Sequence, residues 1–443
     1  MPRKATRWPL LALGLCAPAS GFAQEAAKGG RDLQALVAEA LERNPEVQAA
    51  RARWEAAQFR IPQARALPDP HVASEFETTA DLTRVLGIEY ELSQTIPFPG
   101  KLGLRGRVAR KEAEQAEAQY VAKRREIATQ VKVAYYQLFL AHKLIEIKQD
   151  ELDLFRTFSG IAQAKYVVGT AVQPDVLNAQ TRLAASLNEL VRLEQERVTA
   201  GAALNTLLNR APDVPIQPPE PAEIPRLRYP AATGLLKLAA ERPSGPPQPL
   251  ELPPFPYTVE QLQQLALDQR PDLQAARAAI ERGRAAHSLA KRQYFPDFVV
   301  GLEYDQHFTG TDVWAPSLGI TMPWLWTKGK YDAQVRETRA QVQSSEAAYM
   351  AVRNRALFEI RDLLAKIRAA EEQARMYYAA VLPLAEQTLH SSAAAYQAGQ
   401  VDFLTLVENQ RTLRTVGEAY YRTLVAYYQR LAELELAVGA ELE

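Results

Sequence analysis

The stretch IEYELSQTIPFPGKLGLRGRVARKEAEQAEAQYVAKRREIA, Ile88 to Ala128, decides the fold of this chain. Leu86, Ile88, Tyr90 and Leu92 alternate with Gly87, Glu89, Glu91 and Ser93, which places apolar groups on one strand face and polar groups on the other. Pro97 and Pro99 then remove backbone donors, and Gly100 relaxes the dihedral limits, so strand pairing stops and a helix can start. Beyond this strand-to-helix corner neither Gly nor Pro occurs from Arg107 to Ser159. At ~1.5 Å per residue that stretch reaches roughly 80 Å, more than a globular domain needs. Ala113, Ala116, Tyr120, Ile127, Val131, Ala134, Leu138, Ala141, Ile145, Leu152 and Phe155 fall at steps of three, four or seven, the spacing of a coiled-coil seam.

The pattern is written twice. NPEVQAARARWEAA, from Asn44, is echoed by RPDLQAARAAIERG, from Arg270, and YVVGTAVQPDVLNAQTRL, from Tyr166, by YQAGQVDFLTLVENQRTL, from Tyr396, at nearly the same offset. That predicts an internal duplication. Each copy runs helix, proline-marked strand, second strand, proline corner, long helix, Gly turn, helix. In the second copy Phe298, Val300, Leu302 and Tyr304 form the alternating strand, and Pro323 stands at the corner beside Trp324 and Trp326. HVASEFE and APSLGITM supply the partner strands, which makes four per chain. Residues 24–211 and 257–443 are therefore expected to be two repeats. The proline-dense segment 212–256 reads as a linker or a small irregular region.

The remaining composition narrows the classes. With 52 basic and 52 acidic residues in 443, the chain has no basic field for nucleic acid. Residues 1–23 have a basic start, a short apolar segment and small residues before Gln24, as a secretory signal does. Cys16, the single cysteine, lies inside it; Leu15 stands where lipoprotein processing wants a small residue, so ordinary cleavage after Ala23 is expected. The mature chain would then lack cysteine altogether. No later run of about 18 apolar residues suggests a membrane helix. A membrane crossing would have to be a closed barrel.

Four strands cannot close, and about eight give a barrel filled by its own side chains. Three copies give twelve strands and a lumen, with six quasi-equivalent helical units continuing the tube. Aromatics at the strand ends suit a membrane-interface belt, although they could also cap a soluble core.

On the duplicated NPEVQAARA and RPDLQAARA helices, the LSQTIPFPGK corner and the YVVGTAVQPDVLNAQ and YQAGQVDFLTLVENQ hairpins, the chain resembles the TolC-type outer-membrane efflux family. SQTIPFPGK looks most like the branch that serves heavy-metal pumps of the resistance-nodulation-division type. The resemblance implies a mainly α fold with a small β-barrel part: a homotrimer with a 12-stranded barrel in outer-membrane lipid and a periplasmic helical tunnel. It implies docking through a periplasmic adaptor to an inner-membrane pump, and it places the proline-rich middle where the family has its equatorial region. By the same resemblance Gly169, Thr170, Gly399 and Gln400 lie at tips that meet the adaptor. Asp175 and Glu408 match acidic constriction residues, Tyr396 matches a tyrosine that ties the closed gate, and Thr405 stands where relatives carry a second acid.

Simpler roles compete for the acids. Asp175 and Asp402 stand at helix starts, where a carboxylate stabilises free N–H groups by roughly 0.3 to 1 kcal/mol. Glu408 lies too far into its helix for that and faces either solvent or a lumen. His71, His142, His287, His307 and His390 are isolated, and Thr95 and Trp324 stand where a phosphate loop needs its first glycine, so no catalytic centre, metal site or cofactor is expected. A passive export conduit is the leading expectation. A periplasmic coiled-coil adaptor or scaffold, or a type I secretion exit duct, are the alternatives.

Overall fold

A computed structural model describes residues 33–78, 85–169, 173–221, 223–225, 227, 255–308, 310–398 and 400–442. The signal segment with Cys16, the tip residues Thr170 and Gly399, and most of the proline-rich middle beyond residue 227 lie outside them.

The first repeat comprises α1 (Leu33–Arg43), α2 (Pro45–Arg65), β1 (His71–Thr78), β2 (Val85–Ile96), α3 (Lys101–Val167) and α4 (Gln173–Leu207). The second comprises α5 (Val259–Gln269), α6 (Pro271–Arg292), β3 (Phe298–His307), β4 (Val313–Ile320), the short α7 (Pro323–Trp326), α8 (Lys328–Met376), a π-helical turn (Tyr377–Val381), α9 (Leu382–Gln397) and α10 (Phe403–Val438). α3 is a single helix of 67 residues. The predicted seam is its buried stripe: Ile127, Val131, Leu138, Ala141, Leu152 and Phe155 are closed to solvent, while Ala116, Tyr120 and Ala134 are partly covered.

α3 packs against α2 and α4 of its own repeat and against α6 and α10 of the other, and α8 packs against α6 and α10. The repeats thus interlock through the long helices. The echoed motifs explain how the shorter helices stack end to end. Asn44 caps α2 by accepting from Glu46 N and Val47 N, and its amide donates to Leu207 O at the end of α4. Arg270, its counterpart, begins α6 and donates to Ala437 O near the end of α10, while pairing with Glu359 of α8 at 2.8 Å. Pro45 and Pro271 each occupy a first helical position, where a missing N–H costs nothing.

The second long helix contains a proline, Pro383, without ending there: a π-helical turn, Tyr377–Val381, precedes it and the helix runs on into α9. An extra residue in one turn shifts the hydrogen-bond ladder where the proline supplies no donor.

The four strands form one antiparallel sheet in the order β1-β2-β3-β4. Its register places Val72 opposite Leu92, Leu92 opposite Leu302, and Leu302 opposite Pro316; Tyr90, Tyr304 and Trp314 form the neighbouring row. Period-two alternation then gathers Phe76, Tyr90, Leu92, Val300, Leu302, Trp314 and Leu318 on one face, and all are exposed, Leu318 by 77%. The opposite face carries Glu75, Glu89 and Asp305 in one row and Glu91 and Glu303 in another. The sheet is open, with β1 and β4 at its edges.

Of the proline-rich segment, the described part lies against the helices. Tyr136 OH donates to a Glu223 carboxylate oxygen at 2.6 Å, Leu227 N donates to Tyr421 OH at 2.8 Å, and Asn205 Nδ2 donates to Val214 O at 2.8 Å. Tyrosines from both repeats therefore hold it. Burial, followed by the Glu223 bond, pushes the Tyr136 phenol well above its ordinary value.

Candidate functional site

Two regions carry the features expected of a conduit: the sheet with its corner, and the far ends of the helices. At the corner, Gly100 adopts φ 92°, a left-handed conformation, and precedes the first residue of α3. Pro97 and Pro99 flank Phe98, whose N–H donates to Asp297 Oδ1 at 2.7 Å. Lys101 Nζ donates to the same oxygen and to Phe295 O, both at 2.8 Å, and its side chain is almost wholly buried. The corner of the first repeat is thus fastened by an acid of the second. Sequence reasoning missed both Lys101 and Asp297. The available signal was the Pro-Asp pair before the leading strand in each copy, Pro68-Asp69 and Pro296-Asp297. Pro323 is buried at the first position of α7, at the matching corner.

The exposed apolar face is bounded by aromatics at two levels. Tyr90 stacks on Tyr304 at 6.2 Å, and Tyr304 meets Trp314 at 4.6 Å. Nearer the corner, Phe98 stacks on Phe295 at 4.6 Å and on Phe298 at 6.5 Å. Six residues separate Phe298 from Tyr304, roughly 20 Å along the strand. That is close to the ~25 Å apolar band of outer-membrane barrels.

At the far end, α3 closes on Val168 and on Gly169 at φ 77°. The second hairpin turns through Ala398 N to Ala394 O and Gln400 N to Ala395 O. Asp402 caps α10: its carboxylate accepts from Thr405 N at 2.9 Å and from the Thr405 hydroxyl, which holds it below the ordinary aspartate value. The simple cap expected for Asp402 is therefore correct, and Thr405 is its partner. Asp175 occupies the first turn of α4. Tyr396 is half-buried and packs against the hydrophobic core. Glu408 is exposed and meets Arg182 of α4 at 2.9 Å and Arg411 at 3.7 Å. Asp175 lies seven residues before Arg182, roughly 10 Å nearer the tip.

Arg182 and Arg411, the partners of Glu408, line a cavity of about 360 Å³ between α3, α4 and α10. Its walls carry Lys148, Glu151, Arg182, Glu189, Arg411, Arg414 and Glu418. Arg414 is buried, donates to Ile147 O at 3.3 Å and lies 3.4 Å from Asp150. Nothing in the periodicity of α10 marked it, since a lone arginine on a helix reads as solvent-facing. Among the described residues no cluster of His, Cys, Asp or Glu could hold a metal ion, and no helix is long and apolar enough to cross a membrane.

Comparison with known proteins agrees with this geometry. The family described as outer membrane efflux protein matches residues 36–210 and 262–440. The cobalt-zinc-cadmium resistance protein CzcC of Cupriavidus metallidurans is 24% identical over 421 residues, covering 94% of this chain and 92% of that protein. Among solved structures, CusC, described in terms of folding and transmembrane channel formation, superposes with a TM-score of 0.72 at 19% identity over 92% of each chain. The outer membrane protein VceC of Vibrio cholerae does so with a TM-score of 0.73 at 22% identity, over 93% of this chain and 97% of that one.

Proposed function

The chain belongs to the outer membrane efflux protein family, and from that premise we propose that three copies close their sheets into one 12-stranded barrel, continued in the periplasm by a helical tunnel. The observation that carries this reading is the open sheet, apolar and exposed on one face, acidic on the other, and joined through the PFPG corner to a 67-residue helix. An isolated sheet of this kind would leave two edges to pair with other chains and a large apolar patch in water. Closure by threefold symmetry removes the edges, and lipid covers the apolar face.

In this assembly the protein is a passive conduit of a tripartite efflux system, receiving cargo from an inner-membrane pump of the resistance-nodulation-division type through a periplasmic adaptor. The relationship to a cobalt-zinc-cadmium resistance protein favours metal cations as cargo, as does the carboxylate-lined inner face of the sheet. Residues 1–23 serve as the export signal, 24–211 and 257–443 are the two repeats, and 212–256 forms the equatorial segment. Asp175 and Glu408 form the constriction with Tyr396 and Thr405 beside them, and Gly169, Thr170, Gly399 and Gln400 meet the adaptor.

Deleting the chain in its native host should raise sensitivity to divalent cobalt, zinc or cadmium, and the detergent-extracted protein should run as a trimer from the outer-membrane fraction. A monomer soluble without detergent at full helicity would overturn the barrel; a trimer whose loss leaves metal tolerance unchanged would overturn the cargo.

A further inference from the structure

Beside the first-repeat corner, a cavity of about 430 Å³ is lined by Arg65 at the end of α2, by Gly100, Gly103, Arg107 and Arg110 at the start of α3, and by Arg292 at the end of α6. Four arginines line it, and no acid does. The carboxylates of the region are engaged elsewhere: Asp297 with Lys101 at 2.8 Å, Glu114 with Lys111 at 2.7 Å, and Glu112 with Arg282 at 3.8 Å. Among the described residues none pairs with these four arginines. α3 also starts here without a side-chain cap; Lys101 N donates to Phe98 O, which leaves the next first-turn amides to an oxygen-rich ligand. Like charges lining one cavity repel one another, and an oxyanion relieves them, because arginine offers it paired donors.

The cavity's place in the fold names the source of that anion. The Arg292 guanidinium lies over the Phe98 and Phe295 rings, 5.8 Å and 5.5 Å from their centroids. Phe98 stacks on Phe298, and Phe298 shares its sheet face with Val300, Leu302 and Tyr304 by strand alternation. The arginines therefore begin where the apolar face ends, on the same side of the sheet. Below a barrel's apolar band that depth holds the headgroups of the periplasmic leaflet.

We propose that this cavity binds the phosphate diester of an anionic glycerophospholipid in the periplasmic leaflet of the outer membrane. The inference rests on reading the apolar sheet face as the lipid face. One lipid per corner would fix the depth of the barrel and brace the junction at which strand becomes helix, with Arg107 and Arg110 gripping the phosphate from α3 and Arg65 and Arg292 from the flanking helices.

The test uses the full-length trimer reconstituted in mixed phosphatidylcholine and phosphatidylglycerol vesicles, re-extracted, and its retained lipid measured by native mass spectrometry. Phosphatidylglycerol should be enriched roughly tenfold over its bulk share, as expected for several cations near one phosphate. The double variant R107Q/R110Q should lower that enrichment to the bulk share. Because removing arginines could impair folding, Gly103→Asp gives a second approach. A Cβ at Gly103 meets nothing within 4 Å, so the new carboxylate has room and should abolish enrichment with all four arginines kept, whereas Gly103→Ala should leave it intact. Equal enrichment in wild type, R107Q/R110Q and G103D would overturn the proposal. So would inorganic phosphate that stabilises the wild type in pure phosphatidylcholine and removes the lipid preference, since the anion would then be a free one. If the barrel reading itself fails, the wild type yields no membrane trimer at all; if only this site fails, trimers form normally and retain lipid in the bulk ratio.

Discussion

Arg182 of α4 donates to Glu408 of α10 at 2.9 Å, so the carboxylate proposed for the constriction already has a cation beside it within its own chain. The Glu408 side chain is 51% exposed and that of Arg182 32%. Such a pair contributes about 0 to 1 kcal/mol to stability and is weakened by salt. Its larger effect is on the field in the tunnel, because an arginine at this distance cancels much of a carboxylate ring.

Removing that balance should therefore strengthen cation selection. Arg182→Gln is expected to raise cation preference and the sensitivity to block by multivalent cations in planar-bilayer recordings, at a stability cost below about 1 kcal/mol. Neutralising the acids in the pair D175N/E408Q should do the opposite while trimer yield stays unchanged. Identical conductance, selectivity and block in all three proteins would remove the acids from the constriction.

The two sheet faces should tolerate charge very differently. Leu92→Arg, in the exposed apolar row shared with Val72 and Leu302, is expected to cost about 2 to 4 kcal/mol at mid-membrane depth and to reduce trimer assembly. Glu89→Gln and Glu91→Gln, on the opposite face, should assemble normally. Normal assembly of L92R in outer membranes would mean that this face does not meet lipid.

The sheet was legible in the sequence because Ile88, Tyr90 and Leu92 alternate cleanly and proline and glycine end the run within four residues. The seam of α3 was legible for the corresponding reason, a regular step of apolar residues over many turns. What fastens these elements was not. Lys101 and Asp297 meet only because β2 pairs with β3, a long-range contact that no local spacing encodes. The same holds for Arg182 with Glu408 and for the burial of Arg414, each of which depends on helices from different repeats being side by side. The π-helical turn was hidden because Tyr377–Val381 has ordinary helical composition, and Pro383 after it is no signal by itself, since Pro62 sits inside α2 without such a turn.

The Lys101 contact should be the most sensitive point of the corner. Its ammonium is buried and holds both Asp297 and the Phe295 carbonyl, so Lys101→Met strands a carboxylate that also orders Phe98 N–H. A loss of about 3 kcal/mol is expected, seen as a lower temperature for heat dissociation of the trimer. Asp297→Asn keeps an oxygen for both donors and should cost less. Equal losses for the two would place the stabilisation in the ion pair's charge rather than in the hydrogen bonds to the corner.

Glu418, in the cavity between α3, α4 and α10, supplies the pH dependence. Burial raises its pKa above the ordinary 4.5, and Glu151 and Glu189 add to the rise, whereas Lys148 and Arg422 oppose it. A carboxyl raised in the folded state binds more protons there than in the unfolded chain between pH 4.5 and its folded value. Stability must therefore fall as pH climbs through that window, and the full penalty persists above it. Below pH 4.5 both states are protonated and the penalty vanishes. Glu418→Gln should accordingly leave the trimer's melting temperature unchanged near pH 4, raise it at pH 7, and flatten the decline between them. If Glu418 instead acts mainly as a partner of Lys148, 3.7 Å away, the same substitution would lower the melting temperature at pH 7, and melting curves at the two pH values separate these outcomes.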